Sequence, residues 1–198
     1  PIVVLFILGS LLSSLNPKRT NIFAREGLII VGLSWVIMSL FGCLPFIISG
    51  YLPNFFDAFF ETVSGFTTTG ASILTDIEGQ LSQSMLFWRS FTHWLGGMGV
   101  LVFVLAVLPS SEGQNIHILK AESTGPQVGK LVSRMQVTSR ILYMIYIALT
   151  IIELLALWIG PDKKMTFFNS IIYSLGTAGT GGFGIDADSL ASYSAYSQ

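Results

Sequence analysis

The stretch "FDAFFETVSGFTTTGASILTD", residues 56–76, decides how the rest of the chain is read. An apolar run of helical length ends in three threonines and a glycine, and the chain then turns polar. Shifted by 112 residues, the distance from Gly70 to Gly182, it lies without a gap over "FNSIIYSLGTAGTGGFGIDAD", residues 168–188. Phe56 meets Phe168, Thr68 meets Thr180, Gly70 meets Gly182, Ile73 meets Ile185 and Asp76 meets Asp188. The apolar runs before the two copies align as well, 27–49 over 139–161. The unit is a long apolar helix, a short one, a glycine break and a second long helix; the second copy lacks the last of these.

Composition places this repeat in a membrane. The 198 residues are 52% hydrophobic and 11% charged, with a mean hydropathy of +0.69, whereas soluble domains carry about 25% charged residues. A bilayer core of about 30 Å takes about 20 apolar residues in a helix. Residues 27–49, 84–108 and 139–160 are long enough. Residues 54–66 and 166–178 are not: 13 residues make about 20 Å of helix, and a short apolar segment ending in a break reads as re-entrant. Residues 1–15 read as the end of a preceding transmembrane helix. Both termini read as cut, so a piece of a longer membrane protein is expected. The single cysteine, Cys43, sits in an apolar run and reads as a small buried hydrophobe.

Charge sets the orientation. Lys18, Arg19 and Arg25 lie in 16–26; Lys120, Lys130 and Arg134 lie in 109–138, with Arg140 just beyond. Positive loops stay inside, so 16–26 and 109–138 are expected to be cytoplasmic. The breaks then face outside, with Asp76, Glu78, Asp162, Asp186 and Asp188. Two crossings per unit keep successive units in one orientation, which gathers their breaks on one side.

Non-helical backbone at membrane depth has to be buried in protein or line a wet cavity. A ring of backbone carbonyls can replace a cation's hydration shell, and glycine permits the unusual backbone angles this takes. Thr67, Thr68, Thr69 and Gly70 are therefore expected to form one piece of an ion selectivity filter, 67–72. Thr180, Gly181 and Gly182 are expected to form a second, 179–184. The threonine hydroxyls would brace the first loop. Each short helix would aim its partly negative C-terminal end at the ion. "TGGFG" is no phosphate loop, lacking a preceding strand and a following Lys-Ser/Thr. No Ser-His-Asp set or metal-ligand spacing stands out, and no basic patch with interleaved aromatics is present, so neither enzyme nor nucleic-acid function is expected.

"DAFFETVSGFTTTGAS" followed by "FWRSFTHWLGGMGVLVFVLAVLP" resembles the Trk/Ktr/HKT superfamily of potassium transporters, and within it the bacterial TrkH/TrkG potassium-uptake pore subunits, N-terminal half. "SLGTAGTGGFGIDADS" resembles their second filter, with Gly184 where serine is common. The resemblance implies an all-α integral membrane fold of the potassium-channel kind, with four repeats of outer helix, pore helix, filter and inner helix. This chain would supply the first repeat, 27–108 (outer helix 27–49, pore helix 54–66, filter 67–72, inner helix 84–108). It would also supply an incomplete second, 139–198 (outer helix 139–160, pore helix 166–178, filter 179–184). It implies potassium uptake across the bacterial inner membrane, with K⁺ at Thr68, Thr69, Gly70, Thr180, Gly181 and Gly182. Potassium is then a transported substrate, and no cofactor is expected. Gly70 and Gly182 would be two of four filter glycines. The partners implied are membrane lipid, a second copy in a homodimer, and a cytoplasmic nucleotide-binding ring protein of the TrkA kind. Two alternatives stand beside this: a sodium-permeable or sodium-coupled transporter of the same superfamily, and a non-conducting membrane scaffold.

Arg89 and His93 are four apart on one helix face. Arg89 either snorkels to headgroups or, with His93, supports the filter through Asp57 or Glu61 on the pore helix. "GGMG" (96–99) is read as close helix packing or as a flexible point. Glu153 is read as facing a subunit contact or the interface, and His117 as solvated surface.

Overall fold

The computed structural model describes residues 9–11, 14, 24–99, 135–186 and 188–198. Most of 1–26, the 100–108 end of the expected inner helix, and 109–134 with His117 lie outside the described residues. Every regular element among the described residues is a helix.

Helix α1 (Ala24–Gly42) and the short α2 (Leu44–Ser49) fill the expected 27–49 as two pieces rather than one. Pro45 has no N–H to continue the ladder, so the chain steps at Cys43. Phe46 N–H turns back to the Cys43 carbonyl, and the Trp88 indole N–H takes the freed Gly42 carbonyl at 2.9 Å. Cys43 is fully buried at this step. Helix α3 (Phe55–Phe66) starts at Asn54, whose side chain accepts from Phe56 N–H, and carries Asp57 in its first turn, where the helix dipole favours an anion. A single helical turn not expected from the sequence, α4 (Ile77–Gln80), is capped by Asp76. Helix α5 (Gln83–Gly97) follows. It stops inside the glycine run: Gly99 N–H bonds to the Gly96 carbonyl and Gly99 takes φ +71°. The expected 84–108 is therefore interrupted at 98–99. Helix α6 (Met135–Ile159) begins four residues before the expected 139, inside what reads as a loop. Helix α7 (Phe167–Ala178) is capped by the Thr166 hydroxyl.

Neighbouring helices pack in the order α1, α3, α5, α7, α6. Helix α5 is thus wedged between the two short helices, and α1 and α6 flank them. Ile29–Ser49 and Thr138–Ile159 are long and apolar enough to cross a membrane, with mean hydropathies of 2.1 and 2.2. Their side chains are mostly exposed: Met144 is 67% and Ile152 63% accessible. A soluble core helix would bury that surface; here most of it is left uncovered by the rest of the chain. The core instead lies between the repeats, where Cys43, Phe46, Ala58, Leu86, Ile172 and Tyr173 are buried together.

The repeat extends to single hydrogen bonds. After α3, the N–H groups of Thr67, Thr68 and Thr69 bond to Val63, Gly65 and Ser64. After α7, those of Gly179, Thr180 and Gly181 bond to Leu175, Thr177 and Gly176, each 112 residues later. The two crossed bonds closing each end form a Schellman motif, which needs a left-handed residue just past the helix. That residue is a threonine in both copies, Thr68 at φ +54° and Thr180 at φ +57°. A β-branched residue in this region is an outlier costing roughly 1–3 kcal/mol. Two residues on, Gly70 and Gly182 take φ +76° and +77°.

Candidate functional site: two glycine turns and the ion pair behind them

The two turns meet. A β-carbon on Gly70 would fall on the Gly181 carbonyl oxygen, so the first turn's glycine and the second turn's backbone are in direct apposition. Glycine is required at 70 twice over, by φ and by this contact. At Gly182 only φ requires it; a β-carbon there would meet nothing within 4 Å among the described residues. A cavity of about 320 Å³ opens beside it, lined by Tyr173, Thr177, Thr180, Phe183 and Leu190.

The first turn is held by its own side chains. Thr67 Oγ1 donates to the Val63 carbonyl at 2.7 Å and lies 2.8 Å from Thr69 Oγ1. Ser64 Oγ donates to the Ala71 carbonyl at 2.5 Å. Just beyond, the Glu61 carboxylate accepts from the Ser72 hydroxyl at 2.9 Å and from Ile73 N–H at 3.2 Å.

The second turn has glycines at three of the corresponding places, Gly176, Gly179 and Gly181, and borrows its support from α5. His93, fully buried, puts its backbone against Gly179 and its ring against Gly181. The ring stacks on Phe183 at 3.9 Å between centroids. The Arg89 guanidinium lies 3.5 Å from the centre of the same Phe183 ring, and its Nη1 donates to the Gly184 carbonyl at 3.0 Å.

Arg89 Nε also donates to Glu61 Oε1 at 2.6 Å, in an ion pair from which solvent is excluded on both sides. Arg89 is 2% accessible, so it does not snorkel. Of the two carboxylates proposed for it, Glu61 is the partner and Asp57 is not; Asp57 sits half-buried in the first turn of α3, a helical turn farther from the glycine break. Isolating two charges from water is costly unless each is paired and hydrogen-bonded. Here both are.

The glycine run at 96–99 is a packing surface as well as a helix end. Gly96 abuts the Phe66 carbonyl, and Gly97 abuts Gly179 and the Tyr146 hydroxyl. One stripe of α5 thus touches the ends of both short helices. Tyr146 donates to the Trp94 carbonyl at 3.0 Å and Trp94 Nε1 to Thr150 at 3.1 Å, which fastens α6 to α5. Glu153 of α6 faces α7, toward the Thr177 hydroxyl.

Sequence reasoning missed Ser64, Ser72 and Phe183, and the left-handed threonines. Phe183 and Ser72 lie beside the glycines and were within the quoted motifs. Nothing in residue type marks Thr68 and Thr180, because β-branched residues are poor candidates for positive φ.

Tandem copies of a short helix ending in a left-handed turn, flanked by membrane-length apolar helices, define a repeat-built helical membrane protein. The profile of the TrkH family, described as cation transport protein, matches residues 1–197, and the chain belongs to that family. It is 39% identical over 184 residues to the Trk system potassium uptake protein TrkH of Escherichia coli K12, covering 91% of this chain and 37% of that protein. It is 33% identical over 174 residues to TrkG of the same organism, covering 87% and 35%. The crystal structure of the potassium transporter TrkH from Vibrio parahaemolyticus matches with a TM-score of 0.75 at 31% identity, covering 98% of this chain and 38% of that one. The chain therefore spans little more than a third of the length of these relatives.

Proposed function

We propose that the chain forms part of a potassium-uptake pore, in which the turns 67–70 and 180–182 supply backbone carbonyls to a cation. The apposition of Gly70 and the Gly181 carbonyl carries this reading. A scaffold whose breaks only packed against partners would not need two like turns brought to one point. The short helices end at the turns, so their partly negative C-termini favour a cation there without a fixed carboxylate. In this reading 27–108 is the first pore repeat and 139–198 an incomplete second, α3 and α7 are pore helices, and α5 belongs to the inner helix of the first. The turns face outside the inner membrane, with 16–26 and 109–138 on the cytoplasmic side. A second copy and a nucleotide-binding ring protein are the proposed partners of the full-length assembly.

The test uses the full-length protein in cells lacking their own potassium uptake. The parent is expected to restore growth at low potassium. Gly70→Asp, which fills the Gly181 contact and adds a carboxylate, is expected to lose uptake or ion preference at unchanged membrane abundance. Equal uptake by both would leave 67–70 as a polar turn.

A further inference from the structure

Ser72 and Gly184 occupy the same place in the two repeats, two residues past Gly70 and Gly182. Each is tied to one member of the same ion pair. The Ser72 hydroxyl and Ile73 N–H are held by the Glu61 carboxylate, and the Gly184 carbonyl by Arg89 Nη1. The pair itself closes at 2.6 Å between Glu61 and Arg89. An unbroken polar chain therefore runs from the outer end of one turn to that of the next, through one carboxylate and one guanidinium.

The second repeat does not duplicate this chain. Tyr173 stands where Glu61 stands in the first repeat, and its hydroxyl donates to the Ser189 carbonyl. The Gly184 carbonyl is instead served by a side chain from the first repeat. The chemistry also selects the residue. A guanidinium is planar and carries several donors in a fixed fork, so one edge can serve Glu61 while another reaches Gly184. The Phe183 ring lies against the guanidinium and fixes its position. A lysine ammonium could pair with Glu61 but has no second edge held at a set angle.

We propose that Glu61 and Arg89 form a cross-repeat strut that sets the spacing of the two turns, so that ion discrimination by the pair of turns depends on one first-repeat ion pair. Both are positioning residues and touch no ion. The strut rests on the reading of the turns as a cation pathway.

Ion preference and abundance are measured together in the full-length protein, as rubidium uptake with and without competing sodium. Arg89→Lys keeps the charge and the Glu61 pair but loses the fork. Its preference for rubidium over sodium is expected to fall about tenfold at normal abundance, a size ordinary for coupled neighbours. The swapped pair Glu61→Arg with Arg89→Glu keeps an ion pair but turns an acceptor toward the Gly184 carbonyl, and is expected not to restore preference. Unchanged preference in Arg89→Lys, or full restoration by the swap, overturns the strut. Should neither variant accumulate, Phe183→Leu, which removes the ring from the guanidinium, decides in their place: reduced preference supports the strut, and parental preference overturns it. A parent that takes up no rubidium or potassium removes the functional reading, and the strut with it, before any variant is compared.

Discussion

The two turns share a backbone and differ in what holds it. The first is supported from within, by the hydroxyls of Thr67, Thr69 and Ser64 and by Glu61. The second has glycine at 176, 179, 181 and 184, and is supported from without, by His93 and Arg89 of α5. The same Schellman bonds and the same pair of left-handed residues, Thr then Gly, recur in both. What the repeat preserves is therefore the hydrogen-bond pattern of the main chain. Side chains trade places with a neighbour's: the hydroxyls of the first turn give way to the stacked His93 ring and the Arg89 donor in the second.

Exchanging residues between the copies breaks this comparison most severely in one direction. Gly181→Thr imports the first turn's residue, but its β-carbon would fall on the His93 ring. Overpacking of this kind is expected to cost about 3 kcal/mol or more, read as a large drop in thermal unfolding temperature in detergent. If Gly181→Thr unfolds like the parent, the second turn is not supported by α5. Ser64→Ala imports the absence of a hydroxyl at 176. It leaves the Ala71 carbonyl without its donor, and about 1–2 kcal/mol of destabilisation is expected by the same measurement. No change would mean that the first turn does not depend on its own side chains.

Thr68→Gly and Thr180→Gly sharpen the shared part of the comparison. Each relieves a left-handed threonine, and a gain of roughly 0.5–1 kcal/mol is expected after the entropy cost of glycine. The two gains are expected to be equal, since φ differs by only 3° between Thr68 at 54° and Thr180 at 57°. Unequal gains would show that the surroundings, not the Schellman bonds, set the conformation.

The smallest effect lies at the largely exposed segment after the second turn. Asp162 accepts from Ser194 N–H at 2.6 Å and from Lys164 N–H at 3.0 Å, and these bonds hold its carboxyl below the usual range. A depressed folded value means the contribution is present above the ordinary carboxylate pKa of about 3.9 and is lost as pH falls through the folded value. The protection factors of amide exchange in 190–198, corrected for the intrinsic rate at each pH, are expected to fall on acidification into that window in the parent. In Asp162→Asn this dependence is expected to vanish. A parent whose exchange shows no such acid step would remove Asp162 as the anchor of this segment.

Much of this was legible in the sequence because the repeat aligned without a gap. The short helices expected at 54–66 and 166–178 lie close to the observed Phe55–Phe66 and Phe167–Ala178, since each apolar run is short and turns polar and glycine-rich at its end; the left-handed threonine that closes each helix carries no such mark. The step at Cys43 also had a local cause in Pro45, but hydropathy alone runs straight through it. The start of α6 at Met135 was hidden by Gln136, Thr138, Ser139 and Arg140, polar residues that read as loop. The choice between Asp57 and Glu61 depended on which carboxylate lay level with Arg89, and helical periodicity puts both on one face. The bond from Arg89 to Gly184 spans 95 residues; no local pattern announces it, because its acceptor is a backbone carbonyl.

The most direct test of the central claim is a structure of the full-length protein in rubidium, with the ion located by anomalous scattering. Density at the junction of Gly70 with Gly181 and Gly182, within coordination distance of their carbonyls, is the result expected of turns that replace a hydration shell. A well-ordered pair of turns with no ion between them, and rubidium bound elsewhere in the membrane span, would contradict it.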